Sequence, residues 1–83
     1  MKLLYFAWVR ERVGRPEEEA TPPDGVATVA DLVEWLRARG PEYAYAFAPG
    51  AAIRAAVDKR HAKPDAPIAG AREVAFFPPM TGG

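Results

Sequence analysis

The feature that most constrains this chain is its last apolar run, Val74-Ala75-Phe76-Phe77, which meets consecutive prolines at 78 and 79. Branched and aromatic residues suit a pleated, half-buried strand. Proline has no N–H for a sheet ladder, so the strand has to stop there. Both prolines favour an extended, solvated backbone with little entropy left to lose. The sequence therefore divides into a folded domain over residues 1–77 and an extended tail over 78–83 that hangs free of it. At roughly 3.3–3.6 Å per residue, the stretch from Pro79 to Gly83 reaches about 17 Å. Gly82 and Gly83 carry no side chain, so the final carboxylate can enter a slot too narrow for any other residue.

The rest of the composition narrows what such a domain can be. Eighty-three residues make one domain with a single small core, and 49% apolar residues are too many for a disordered tail. Formal net charge is zero, which gives no global field toward nucleic acid or acidic membrane. There is no cysteine, which removes disulfides, thiolate nucleophiles and cysteine-based metal sites. The longest apolar runs fall far short of the roughly 20 residues that span a bilayer. The first residues read as a strand rather than a signal peptide, so cytoplasm is the expected location.

Taken in order, Lys2–Trp8 reads as the first strand. Lys2, Leu4 and Phe6 share one face; Leu3, Tyr5 and Ala7 share the other. Lys2 marks the solvent side, which places Leu4 and Phe6 outside as well. Arg10–Val13 reads as a helical turn ended by Gly14, and Glu17–Thr21 as a charged edge strand. Pro22-Pro23-Asp24-Gly25 is a turn. Thr28 caps the clearest helix, with Asp31 three residues on in a capping-box arrangement. Val29, Leu32, Val33 and Leu36 form its apolar stripe, Trp35 lies at the rim, and Gly40-Pro41 ends the run. Residues 42–47 suggest a second short helix, ended by Pro49-Gly50.

Residues 52–58 read as a third strand, with Ile53, Ala55 and Val57 inward and Arg54, Ala56 and Asp58 outward. Lys59–Ala71 reads as a loop, with a short strand expected near Ile68. In the last strand, Val74 and Phe76 point inward, and Glu73, Ala75 and Phe77 outward. One mixed sheet with a helix on one face satisfies both apolar surfaces. The expected class is α+β, a β-grasp (ubiquitin-like) sheet whose first and last strands are parallel neighbours at its centre. The helix is expected to return the chain to a strand beside the first.

From Val74 to Gly83 the sequence resembles the terminus of the MoaD family, the small subunit of molybdopterin synthase. The opening Leu4-Tyr5-Phe6-Ala7-Trp8-Val9-Arg10-Glu11, the Thr28-Val29-Ala30-Asp31-Leu32 helix start and Ala55-Ala56-Val57-Asp58 resemble that family too. A terminal Gly-Gly alone is a weak sign; the Phe-Phe-Pro-Pro-x-Thr-Gly-Gly string after this pattern is a specific one. The resemblance implies a sulfur carrier. A ubiquitin-activating-type adenylating enzyme, using ATP, would convert Gly83 to an acyl-adenylate, and a sulfur donor system would turn it into a thiocarboxylate. The loaded tail would enter the synthase large subunit, and its sulfur would pass to cyclic pyranopterin monophosphate. The chain itself would hold no stable cofactor and no metal, and would not be an enzyme in isolation.

An apolar outer face rimmed by charge is a protein-binding feature. The expected partner-binding set is Leu4, Phe6, Ala56 and Phe77 on the sheet, then Pro78, Pro79, Met80, Thr81 and Gly82 along the tail, with Gly83 as the reacting terminus. Arg10 and Arg54 read as solvated rim. His61, the only histidine, reads as a surface residue outside the site. Asp58 reads as a turn former, and Glu17-Glu18-Glu19 as a solvated edge. Three other readings share the sequence: a carrier of thiazole sulfur for thiamine, a ubiquitin-like modifier joined through Gly83, and a plain interaction module.

Overall fold

The computed structural model describes residues 1–49 and 52–79. Its elements are β1 (Lys2–Tyr5), α1 (Ala7–Val13), β2 (Glu17–Glu19), α2 (Val29–Arg37), α3 (Pro41–Ala46), β3 (Arg54–Val57), β4 (Arg60–Ala62) and β5 (Glu73–Phe77). The strands form one sheet in the order β2-β1-β5-β3-β4. Only the β1–β5 pair is parallel, with Leu3 opposite Val74 and Tyr5 opposite Phe76. This is a β-grasp fold of the α+β class.

Period-two burial sets the register. Leu3, Tyr5, Val74 and Phe76 are all at most 1% exposed, so these two strands turn the same face to the helices. The Thr28 hydroxyl accepts from the Asp31 amide while the Asp31 carboxylate accepts from the Thr28 amide, completing the expected capping box. Val29, Leu32 and Leu36 of α2 are buried and Val33 is half-buried. Each fully buried leucine contributes about 1.5–3 kcal/mol of transfer free energy. The core aromatics meet at Phe76, which stacks on Tyr5 at 6.2 Å and meets Phe47 edge-on at 5.0 Å.

Three details differ from the sequence expectation. The first strand stops at Tyr5 rather than Trp8, because Phe6 makes the last cross-strand bond, N–H to the Phe76 carbonyl at 3.0 Å. The backbone then turns at Ala7 (φ 53°) into α1, which takes Trp8 out of the strand. The short strand lies at Arg60–Ala62, not near Ile68, which is instead a buried loop residue. Asp58 (φ 48°) and Lys59 (φ 71°) form the two-residue turn that folds β4 back on β3. Left-handed values at both centres match the hairpin turns compatible with strand twist, and Asp, like Asn, enters that region more readily than other non-glycine residues. Asp58 is therefore the turn former that the sequence suggested. Finally, β3 lies beside β5 and not beside β1, since the last strand inserts between them.

Candidate docking face and tail root

Among the described residues no helix covers the sheet's second face. Cross-strand register places Glu17, Leu4, Ala75, Ala56 and His61 side by side across all five strands. Ala75 and Ala56 form a low floor, and Ala75, paired with Leu4 on one side and Ala56 on the other, is 7% exposed. Leu4 and Ala56 are half-buried, Phe77 likewise, and Phe6 is 48% exposed. Arg54 stands opposite Phe77, and Lys2 stands opposite Glu73. Lys2 Nζ also reaches Glu17 Oε2 at 3.2 Å. The result is an apolar strip rimmed by opposite charges, the arrangement expected of a protein-docking surface.

The structure brings Leu4, Phe6, Ala56 and Phe77 to this one side of the sheet. Pro78 and Pro79 continue from Phe77 and are half-buried. Met80, Thr81, Gly82 and Gly83 lie outside the described residues, as does Gly50 of the expected helix stop. Arg10 and Arg54 are exposed, as a solvated rim requires.

His61 is the residue that sequence reasoning left out. It sits opposite Ala56, and its ring meets Phe77 edge-on at 5.6 Å with 86° between the planes. The signal was present in Asp58-Lys59: a two-residue hairpin turn puts residues 56 and 61 opposite each other. Ala75, outward by strand parity, is the centre of the floor.

The Glu17–Glu19 run also needs correction, because its middle residue is not a solvated edge. Glu18 pairs with Leu3 and turns inward, leaving its side chain 7% exposed. Glu18 Oε2 accepts from the Tyr5 hydroxyl at 2.7 Å and the Tyr43 hydroxyl at 2.6 Å. Glu18 Oε1 lies 3.4 Å from Arg15 and 3.3 Å from Arg39. Burial alone would raise this carboxyl's pKa, but the tyrosine hydrogen bonds and then the guanidiniums outweigh it, and the net shift is downward. Burial first, then the bond to Glu18, pushes both tyrosines upward. This network ties β1, β2 and α3 together behind the open face.

Among the described residues no group of three or more His, Cys, Asp or Glu side chains is placed to hold a metal ion. No described helix is long and apolar enough to cross a membrane. An apolar groove of about 320 Å³ between α2 and β3, lined by Val29, Val33, Phe47 and Ile53 among others, lies on the core side, away from the strip.

A small β-grasp domain that leaves one apolar sheet face open and sends its central strand into a proline-led tail belongs to the ubiquitin-like carrier class. The chain is a member of the ThiS family, whose model matches residues 3–83, and members of this ThiS/MoaD group are small, non-catalytic sulfur carriers. It is 39% identical over 83 residues to the molybdopterin synthase sulfur carrier subunit of Escherichia coli (strain K12), covering 100% of this chain and 99% of that one. Its fold is similar to the crystal structure of SAMP1 from Haloferax volcanii, with a TM-score of 0.74, 26% identity, and coverage of 100% and 98% of the two chains. It is also similar to a putative molybdopterin converting factor, subunit 1, from Pyrococcus furiosus (TM-score 0.71, 26% identity, 95% of each chain).

Proposed function

We propose that this chain is the sulfur-carrying subunit of a molybdopterin synthase, and that Gly83 is its working residue. The observation that carries this reading is the full-length similarity to the Escherichia coli sulfur carrier subunit. The placement of Phe77, Pro78 and Pro79 at the edge of an open apolar face supports it.

In this reading a carboxylate oxygen of Gly83 attacks the α-phosphorus of ATP on an adenylating enzyme, and pyrophosphate leaves. The acyl-adenylate supplies the leaving group that a carboxylate lacks. Sulfide released by the donor system then attacks the acyl carbon, displaces AMP and loses its proton to solvent. The resulting thiocarboxylate is a polarisable nucleophile at neutral pH. Docking through Leu4, Ala56, Phe77 and their neighbours aims the tail into the large subunit, where sulfur passes to cyclic pyranopterin monophosphate. The carrier contributes reach, narrowness and docking.

The test is the intact mass of the chain after incubation with ATP, the cognate adenylating enzyme and a sulfur source. A gain equal to one oxygen exchanged for one sulfur is expected, and no gain overturns the carrier reading. Dithiolene formation with the large subunit then tests the acceptor. A second reading, drawing on the ThiS family match, keeps the same terminus and delivers sulfur to the thiamine thiazole. Thiocarboxylate formation without dithiolene selects it.

A further inference from the structure

Two arginines of this chain sit over pairs of aromatic rings. The Arg39 guanidinium lies 5.0 Å from the Trp35 ring centre and 5.1 Å from that of Tyr43. It also has a carboxylate partner inside the chain, since its Nη1 lies 3.3 Å from Glu18 Oε1. The Arg12 guanidinium is held closer, 4.4 Å from the Trp8 ring centre and 4.5 Å from that of Tyr45. No ion pair or side-chain hydrogen bond joins it to another described residue. A ring face attracts the cation but satisfies few of its five N–H donors. Arg39 thus has a carboxylate beside its paired rings, and Arg12 has none among the described residues.

The surroundings resemble a binding hot spot, which is enriched in Trp, Tyr and Arg. Phe6 and Tyr45, 48% and 60% exposed, are the large exposed apolar side chains among the described residues. Trp8 stands in the first turn of α1, two residues beyond Phe6, whose amide bonds to the carbonyl of Phe76. The patch therefore begins at the root of the tail.

We infer that Trp8, Arg12 and Tyr45 form a second contact, and that its occupant is an Asp or Glu carboxylate on the protein that takes up the tail, the large synthase subunit in the reading above. The inference rests on that reading. The aromatic rings hold the guanidinium in place before the partner arrives, which lowers the ordering cost of the ion pair. Anchors at both the sheet strip and this patch fix the carrier's orientation, and so the tail's direction of entry.

The experiment measures the dissociation constant of the full chain with its cognate large subunit by calorimetry, at low and at moderate salt. Arg12→Glu is expected to weaken the complex about 100-fold, and Arg12→Lys about tenfold, because an ammonium lacks the planar fork. Tyr45→Ala, which leaves the charge in place, is expected to weaken it about fivefold. The wild-type constant rises with salt, and that of Arg12→Glu does not follow it. Unchanged melting curves show that the variants are folded. If the wild type binds and all three variants bind within about twofold of it, the inference is overturned while the carrier reading stands. If the wild type forms no complex and no thiocarboxylate, both are overturned.

Discussion

The His61 imidazole stands edge-on to the Phe77 ring, with 5.6 Å between centroids and 86° between planes. It joins the sheet's far edge strand to the residue from which the tail departs. A histidine packed this way extends the apolar strip rather than ending it, and it limits the positions open to Phe77.

Phe77→Ala is expected to weaken docking to the large subunit by about 2 kcal/mol, the cost of losing an aromatic anchor. Calorimetric titration checks this. His61→Phe should preserve most of the affinity, whereas His61→Asp should lose it by placing a charge on the strip. Equal affinities for all three variants would remove the open face from the docking surface.

The tail makes a sharper demand. Adding one alanine beyond Gly83, or replacing Gly82 with valine, should abolish thiocarboxylate formation while leaving the domain's melting temperature unchanged. Intact mass and a thermal melt read the two effects separately. Sulfur loading of an untrimmed, extended chain would contradict the assignment of Gly83.

Glu18→Ala strands the Tyr5 and Tyr43 hydroxyls and deprives Arg39 of its partner. A loss of about 2–4 kcal/mol is expected by denaturant titration, and Glu18→Gln should lose less because it still accepts hydrogen bonds.

The same network sets a pH window. Glu18 titrates below its ordinary value of 4.5 in the fold, so its stabilisation is full above that value and is lost as pH falls through the folded pKa. Tyr5 is shifted upward from 10.0, so its contribution is full below that value. Above it the unfolded chain ionises first, and stability declines as pH rises. Melting temperatures should form a plateau that falls off on both sides, and Tyr5→Phe should flatten the alkaline side.

Asp58 Oδ1 accepts from the Arg72 amide at 2.8 Å and the Glu73 amide at 3.0 Å, while its own backbone holds a left-handed turn. Asp58→Ala should cost about 1–2 kcal/mol, and Asp58→Asn, which keeps an acceptor and tolerates that φ, should cost less. Amide exchange at residues 60–62 and 72–73 would locate the loss.

Much of this architecture is legible from local rules. The capping box from Thr28 to Asp31 and the inward positions of Leu3, Val74 and Phe76 follow from spacing and period-two alternation. The β4 strand was hidden because Arg60-His61-Ala62 has little strand propensity of its own; its pairing comes from the turn at Asp58-Lys59. Glu18 was hidden because a run of three glutamates has no apolar residue to mark its inward side. The Tyr5 and Tyr43 hydroxyls and the Arg15 and Arg39 guanidiniums, brought from elsewhere in the chain, make a carboxylate acceptable there. Arg12 and Tyr45 are brought together by packing between α1 and α3, which sequence spacing does not encode.

The position of β5 has a consequence for biosynthesis. The strand that closes the gap between β1 and β3 follows every other strand in the sequence. Any product cut short before Glu73 is left with two unsatisfied edges where the middle of its sheet should be. Such a fragment lacks the strand through which the two halves of the sheet are joined.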